Sequence, residues 1–163
     1  MRAPRISIQT QPFDAAAEAA RMRAGRRDIG ALASFEGICR DHDGDTSGVS
    51  TLELEHYPGM TEASIAAMVD DAARRWPLQA VTVIHRVGLL QPGDPIVLVM
   101  VASAHRHAAF DACAFLMDYL KTQAPLWKKQ TSAEGAAWVD AREADDAALR
   151  RWGLDLGNSA TPD

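Results

Sequence analysis

Residues 120–130, LKTQAPLWKKQ, place Lys121, Lys128 and Lys129 around Pro125 and Trp127 with no acidic side chain among them. An amine that loses hydration gives up its proton more easily and becomes a usable nucleophile or base. The run before it, HRHAAFDACAFLMDYLKT, reads as a helix with Phe110, Ala114 and Met117 recurring on one face. At 100° per residue Lys121 falls within about 20° of Phe110, which ends the apolar stripe on an amine rather than aiming it at water. The opposing reading is an alkyl stem lying over apolar surface with its ammonium reaching solvent near the helix C-terminus, where a cation is welcome. Pro125 turns the chain and can bring Lys128 and Lys129 back toward the helix end.

Two further cations stand where elements end. Arg40 closes GALASFEGICR beside a polar loop, and His105–Arg106 follow the apolar strand that ends at Ala102. With Ser103 as a cap, His105 and Arg106 fall in a first helical turn, whose free N–H groups and positive dipole end favour anions. Arg106 adds a two-pronged donor, although on spacing alone it reads equally well as a surface residue.

Other motifs carry less. In DHDGDTSG, Asp41, Asp43 and Asp45 alternate as in a calcium loop. Position six is Thr46 rather than Gly, and position twelve is Leu52 rather than Glu, so this is a solvated loop. His85 shares a strand face with Val81, Val83 and Val87 and reads as a packed structural histidine. His105 and His107 lack a nearby third ligand, so no metal site is expected. There is no GxSxG, Walker or GxGxxG pattern.

The elements that must position these groups emerge from periodicity. Residues 5–9 predict a strand, 11–25 a helix closed by Gly25, 30–40 a strand with Ala31, Ala33 and Phe35 on one side, and 41–50 a polar loop. A strand comes next at 50–57, with Leu52 and Leu54 opposed to Glu53 and Glu55. After it lies a helix over 58–77 capped by Thr61, with Ile65, Met68, Val69, Ala72 and Trp76 inward. Residues 81–90 and 94–103 predict strands around a tight turn at Pro92–Gly93. The long helix from about Ser103, a strand around 136–140, a last helix over 141–152 and a loose tail at 153–163 complete the pattern. Strand pairs joined by tight turns, with helices between, indicate α+β with a largely antiparallel sheet and flanking helices.

The 163 residues suit one domain, taken as 1–152, and the net charge of −5 argues against nucleic-acid or bilayer binding. No apolar run is long enough for a membrane span, and the N-terminus has no signal-peptide core. Cys39 and Cys113 suggest no disulfide framework, which points to the cytoplasm. The partners to expect are small anions in a concentrated basic pocket.

FEGICR, LELEHYPGM, VTVIHRVGLLQPGD, SAHRHAAF, DYLKTQAPLWKK and EGAAWVDAR occur in the order seen in the large, catalytic subunit of molybdopterin synthase, and the chain resembles that family over nearly all of residues 5–152. The resemblance implies an α/β hammerhead fold and an enzyme that converts cyclic pyranopterin monophosphate into molybdopterin by installing a dithiolene. It implies sulfur from the C-terminal Gly-Gly thiocarboxylate of a ubiquitin-like small subunit, a heterotetramer around a central homodimer, and no further cofactor. Carried over by motif, the catalytic lysines are Lys121 and Lys128. The substrate-binding positions are Ile38, Cys39, Arg40, His105, Arg106, Lys121, Lys128, Lys129 and Gln130. The family often has a basic residue in place of Ile38 and a Glu in place of Gln130; these departures weaken one phosphate contact and remove a carboxylate partner for a lysine. The Cys39 thiol is not needed as a sulfur carrier. Arg106 and Lys121 lie 15 residues apart on one expected helix, about 22 Å by helical rise, so the pocket is expected to take His105–Arg106 from a two-fold mate. The rival reading is a non-catalytic module that binds an anionic pterin or nucleotide, or docks a ubiquitin-like tail.

Overall fold

The computed structural model describes residues 1–43, 46–139 and 143–154. In chain order the elements are β1 (Arg5–Gln9), α1 (Ala15–Arg23), β2 (Ala31–Ile38), β3 (His42–Asp43), β4 (Thr46–Ser47), β5 (Thr51–His56) and α2 (Met60–Arg75). The second half comprises β6 (Leu78–Arg86), β7 (Gly88–Leu90), β8 (Pro95–Ser103), α3 (Arg106–Gln123), β9 (Leu126–Ser132), β10 (Gly135–Val139) and α4 (Glu143–Arg150). The α+β class and antiparallel bias match the expectation, but the strands form two four-stranded sheets rather than one, with β3–β4 as a small separate pair. The first sheet runs β1-β6-β8-β2, with only β1–β6 parallel, and the second runs β10-β9-β5-β7.

Glycine explains the division. Periodicity over 81–90 predicts one strand, but Gly88 adopts φ 84°, a conformation that side-chain-bearing residues rarely take. The chain therefore leaves the first sheet after Arg86 and pairs Gly88–Leu90 with β5 in the second. Arg86 secures the exit: its buried guanidinium donates to the carbonyls of Thr10 and Pro95. The expected turn is present, with Gly93 at φ 92° and the Asp94 N–H donating to the Gln91 carbonyl.

Both faces of the first sheet are covered, which is why β6 and β8 read as nearly continuous apolar runs. Val81, Val83, Val97, Val99 and Val101 face α2 and α3, packing with Ile65, Met68, Phe115 and Leu116. Ile84, Leu98 and Met100 face α1 around Met22. Trp76, Phe115, Tyr119 and Trp152 meet edge to face, and Trp152 donates its indole N–H to Asp118.

Three end assignments differ from expectation. α1 begins after Asp14, whose side chain accepts from the Ala17 N–H. In α2 the N-cap is Gly59, whose N–H donates to the Glu62 carboxylate; Thr61 lies inside the helix. Thr61 is fully buried and does other work, accepting from the Tyr57 N–H and donating to the Pro125 carbonyl. In α3 the N-cap is His105 rather than Ser103, whose buried hydroxyl donates to the Pro77 carbonyl instead.

Among the described residues no helix is long and apolar enough to cross a membrane. The expected loose tail lies outside the described residues from 155 onward, as do 44–45 of the polar loop, 140 at the end of the expected strand and 141–142 at the start of the expected last helix.

The β8–α3 junction rests on Gly30, whose N–H donates to the Ser103 carbonyl. A Cβ at Gly30 would overlap the backbone carbonyl oxygen of Ala104, and backbone cannot rotate aside. Gly30→Ala is expected to destabilise the chain by about 1–3 kcal/mol, the usual range for forced overpacking. Denaturant melts check this, and an unchanged midpoint would show that the junction has room to spare.

Candidate active site

A cavity of about 420 Å³ opens where the two sheets and the C-terminal end of α3 meet. Its size suits a small organic ligand. Four segments supply most of its polar groups, and His42 of β3 also lines it.

The first is the end of β2. Its pairing with β8 shifts register between Gly37 and Ile38, a bulge that bends the strand and re-aims the residues beyond it. Gly37 is required there, because a Cβ would come within 2.7 Å of Val97 Cγ1. Cys39 is then clamped by backbone bonds to the 91–94 turn: its N–H donates to the Asp94 carbonyl and its carbonyl accepts from Gly93. Ile38, Cys39 and Arg40 all line the cavity. Cys39 is buried, and burial pushes its thiol up in pKa although Lys128 pulls the other way. The raised pKa disfavours the thiolate. Phe35, expected to pack inward with Ala33, is 41% exposed and lines the cavity instead.

The second is the end of α3. The helix buries Ala109, Ala112, Cys113, Leu116 and Leu120 against the first sheet. Phe110 is 65% exposed while Met117 is buried, so the line Phe110–Ala114–Met117–Lys121 follows the edge of the buried face rather than its centre. Because α3 is apolar over much of its circumference, periodicity alone does not separate the two faces. Lys121 is an exposed residue that overhangs the cavity, and its expected partial desolvation is not found.

The third is β9, where the sequence suggests a turn bringing Lys128 and Lys129 back together. It is a strand, paired with β5 on one side and β10 on the other. Alternation then sends neighbours to opposite faces. Leu126, Lys128 and Gln130 line the cavity; Lys129 does not, and its ammonium sits 5.8 Å from the ring centre of its cross-strand partner Trp138. Lys128 is the desolvated lysine: burial, then the nearby charges of Lys121 and Arg40, push its pKa below the ordinary 10.5.

The fourth is β6, through His85, which sequence reasoning treats as packing. It is buried, yet it stands in the cavity wall. Its Nδ1 lies 2.8 Å from the Arg86 carbonyl, which requires Nδ1 to carry the proton. Burial holds its pKa down to about 4, with Lys121 and His56 adding to the effect, so the ring is neutral at physiological pH. The sequence carries no local signal for it, because Val81, Val83 and Val87 on the same face read as ordinary packing.

His105 and Arg106 are exposed at the opposite end of α3 and do not line this cavity. The structure thus brings together Ile38, Cys39, Arg40, Lys121, Lys128 and Gln130, and leaves out His105, Arg106 and Lys129. Chemically it is a cationic pocket with one lysine kept short of water, suited to an anionic ligand and to proton transfer at an amine.

A family profile described as MoaE protein matches residues 8–123. The chain belongs to the MoaE family. Over 157 residues it is 58% identical to the molybdopterin synthase catalytic subunit of Ralstonia nicotianae, covering 96% of this chain and 89% of that one. It is 52% identical over 153 residues to the molybdopterin synthase catalytic subunit of Escherichia coli, covering 93% of this chain and all (100%) of that one. The solved MoaE protein from Burkholderia ambifaria superposes with a TM-score of 0.80 at 52% identity, over 94% of this chain and 100% of that chain. The MoaE fold expected from the motifs is therefore the one observed.

The cavity cations can be tested for mutual proximity. Lys128 has a folded pKa below its unfolded value, so its charged form is disfavoured on folding. Its contribution is unfavourable at neutral pH and is relieved as pH rises through the lowered folded value toward 10.5. Removing a like charge should raise that folded value. In Lys121→Met, the Lys128 amine, followed by NMR of reductively ¹³C-methylated protein, is expected to titrate at higher pH than in the wild type. A midpoint that stays or falls would show that the two lysines do not share one pocket.

Proposed function

We propose that this chain is the catalytic subunit of a molybdopterin synthase, acting on cyclic pyranopterin monophosphate with sulfur from the C-terminal thiocarboxylate of a ubiquitin-like small subunit. The observation that carries the reading is the convergence of Arg40, Lys121 and Lys128 on one cavity in a MoaE-family chain whose net charge is −5. An acidic protein concentrates cations only where something anionic must be held, and both proposed reactants are anionic.

Environment assigns the roles. Arg40 offers a planar fork matched to a phosphate at the rim beside the bulge. Lys128, deep enough to be desolvated, gives up a proton more readily than an ordinary lysine and stabilises developing negative charge more strongly than a hydrated one. Lys121 hangs over the opening from the helix end, where it can meet an incoming acyl tail. The apolar wall of Leu52, Leu54 and Leu120 excludes water from the reacting end. Cys39 and Cys113 are both buried and free, which fits a reducing cytoplasm.

His105 and Arg106 enter through a second copy. They are separated from Lys121 by most of the 18-residue helix α3, about 22 Å at 1.5 Å per residue. A two-fold dimer places the α3 N-terminus of one protomer at the cavity of its mate, giving two equal composite sites within a heterotetramer.

The test is reconstitution with a thiocarboxylated small subunit and the cyclic pterin. Wild type is expected to form product. Lys121→Ala and Arg106→Ala homodimers are each expected to lose activity by about 100-fold or more, the scale of removing one preorganised charge, with melting temperatures near wild type. Mixed Lys121→Ala/Arg106→Ala dimers are expected to regain one working site. No product from wild type would favour a non-catalytic binding module. Mixed dimers no better than either parent, with exchange shown by mass spectrometry, would rule out the shared site.

A further inference from the structure

His85 has a second ring nitrogen to which the fold assigns no partner. The side chain sits on the face of β6 that continues from Val81 and Val83, paired across the sheet with Val97, which itself pairs with Gly37. With Nδ1 committed to the Arg86 carbonyl, the remaining lone pair is on Nε2, one of the two ring atoms farthest from the strand. No described residue hydrogen-bonds Nε2, although His85 is only 7% exposed and its side chain forms part of the cavity wall. Nε2 is not sealed off from the cavity, so a donor that reaches in from the rim can meet its lone pair.

The charged and titratable groups around the ring come from four neighbouring elements. Lys121 of α3 and His56 of β5 both bear electrostatically on the imidazole, and Lys128 of β9 lines the same cavity. Arg86 beside it is turned away, spending its guanidinium on the Thr10 and Pro95 carbonyls. Glu36 of β2 also lines the cavity. Of these, Lys121 is the donor that can swing: its long side chain hangs from the helix end over the opening.

We propose that His85 is a positioning residue for Lys121, its Nε2 accepting a hydrogen bond from the Lys121 ammonium and directing it into the cavity. The choice of a neutral imidazole has a physical reason. A carboxylate in this place would pair with the ammonium and cancel its charge toward an anionic ligand. A neutral acceptor orients the amine and leaves the charge available. The catalytic half of this inference rests on the molybdopterin synthase reading; the contact itself does not.

Two variants and one spectrum test it. Asn at position 85 keeps a donor near the Arg86 carbonyl but has nothing at the place of Nε2, whereas Gln can present its amide oxygen there. In the reconstituted enzyme His85→Asn is expected to lower kcat by about 10–100-fold, the cost of a misplaced reacting group, with KM little changed. His85→Gln is expected to recover most of that loss. Loss of equal size in both variants would overturn the proposal, and so would full activity in His85→Asn. Independently of activity, ¹⁵N NMR of the imidazole in the chain alone is expected to show the Nδ1–H tautomer, titrating near pH 4. Lys121→Met should raise that midpoint and shift the Nε2 resonance toward that of a free lone pair. If Lys121→Met leaves both unchanged, the contact does not exist, whatever the enzyme does. If the spectrum responds but wild type forms no product, the functional reading falls and the contact stands.

Discussion

The strand Leu126–Ser132 is held from both sides, by Thr51–His56 and by Gly135–Val139, and this double pairing fixes its register. Register in a strand is a choice of face, because a slip of one residue exchanges every side chain between the two sides. Here it sends Lys128 and Gln130 into the cavity and Lys129 to Trp138. Thr61 anchors the entry to the strand by donating to the Pro125 carbonyl from the buried start of α2. One helix, two neighbouring strands and a threonine hydroxyl thus decide which lysine the site receives. Without that constraint the neighbouring Lys128 and Lys129 would be interchangeable, and so would the desolvation that distinguishes one of them.

The rest of the site answers to the same junction. Gly88 lets the chain cross from the first sheet to the second, which opens the space between them, and the bulge after Gly37 points Ile38–Arg40 into it. The clustering of Arg40, Lys121 and Lys128 costs stability, since each raises the free energy of the others' charged forms; the pKa of Lys128 is lowered first by its burial and then by these two neighbours. His85 stays neutral among them, which limits the positive charge the cavity must carry. Such a cluster suits an anionic ligand.

Much of this is legible in the sequence, and the failures have physical causes. Strands over 5–9, 50–57 and 94–103 and the helices around Ile65 and Leu116 emerge from periodicity, because each buries one or both faces in the ordinary way. Arg40 and Lys121 are reachable as cations at element ends in an acidic chain, and Lys128 as a cation just after Pro125. The reading of Lys121 as a buried or half-buried lysine departs from the structure because the line it shares with Phe110 runs along the edge of the buried face, exposed at Phe110 and buried at Met117. Lys129 groups with Lys128 in the sequence because Pro125 suggests a turn, and only the pairing to β5 and β10 shows a strand. The division into two sheets depends on φ at a single glycine. His85 looks like packing because its neighbours on the face are valines, and nothing local reveals that the face ends in a cavity.

The central claim is that strand alternation and the β2 bulge select which cations meet the anionic substrate. Calorimetric titration of cyclic pyranopterin monophosphate onto the chain, comparing Arg40→Ala with Lys129→Ala, tests it most directly. Loss of one charge-assisted contact is typically about 1.5–3 kcal/mol, so Arg40→Ala is expected to weaken binding by about 10–150-fold. Lys129→Ala, on the far face of its strand, should change it by less than about 3-fold. Equal losses in the two variants, or tight binding that survives Arg40→Ala, would contradict the account.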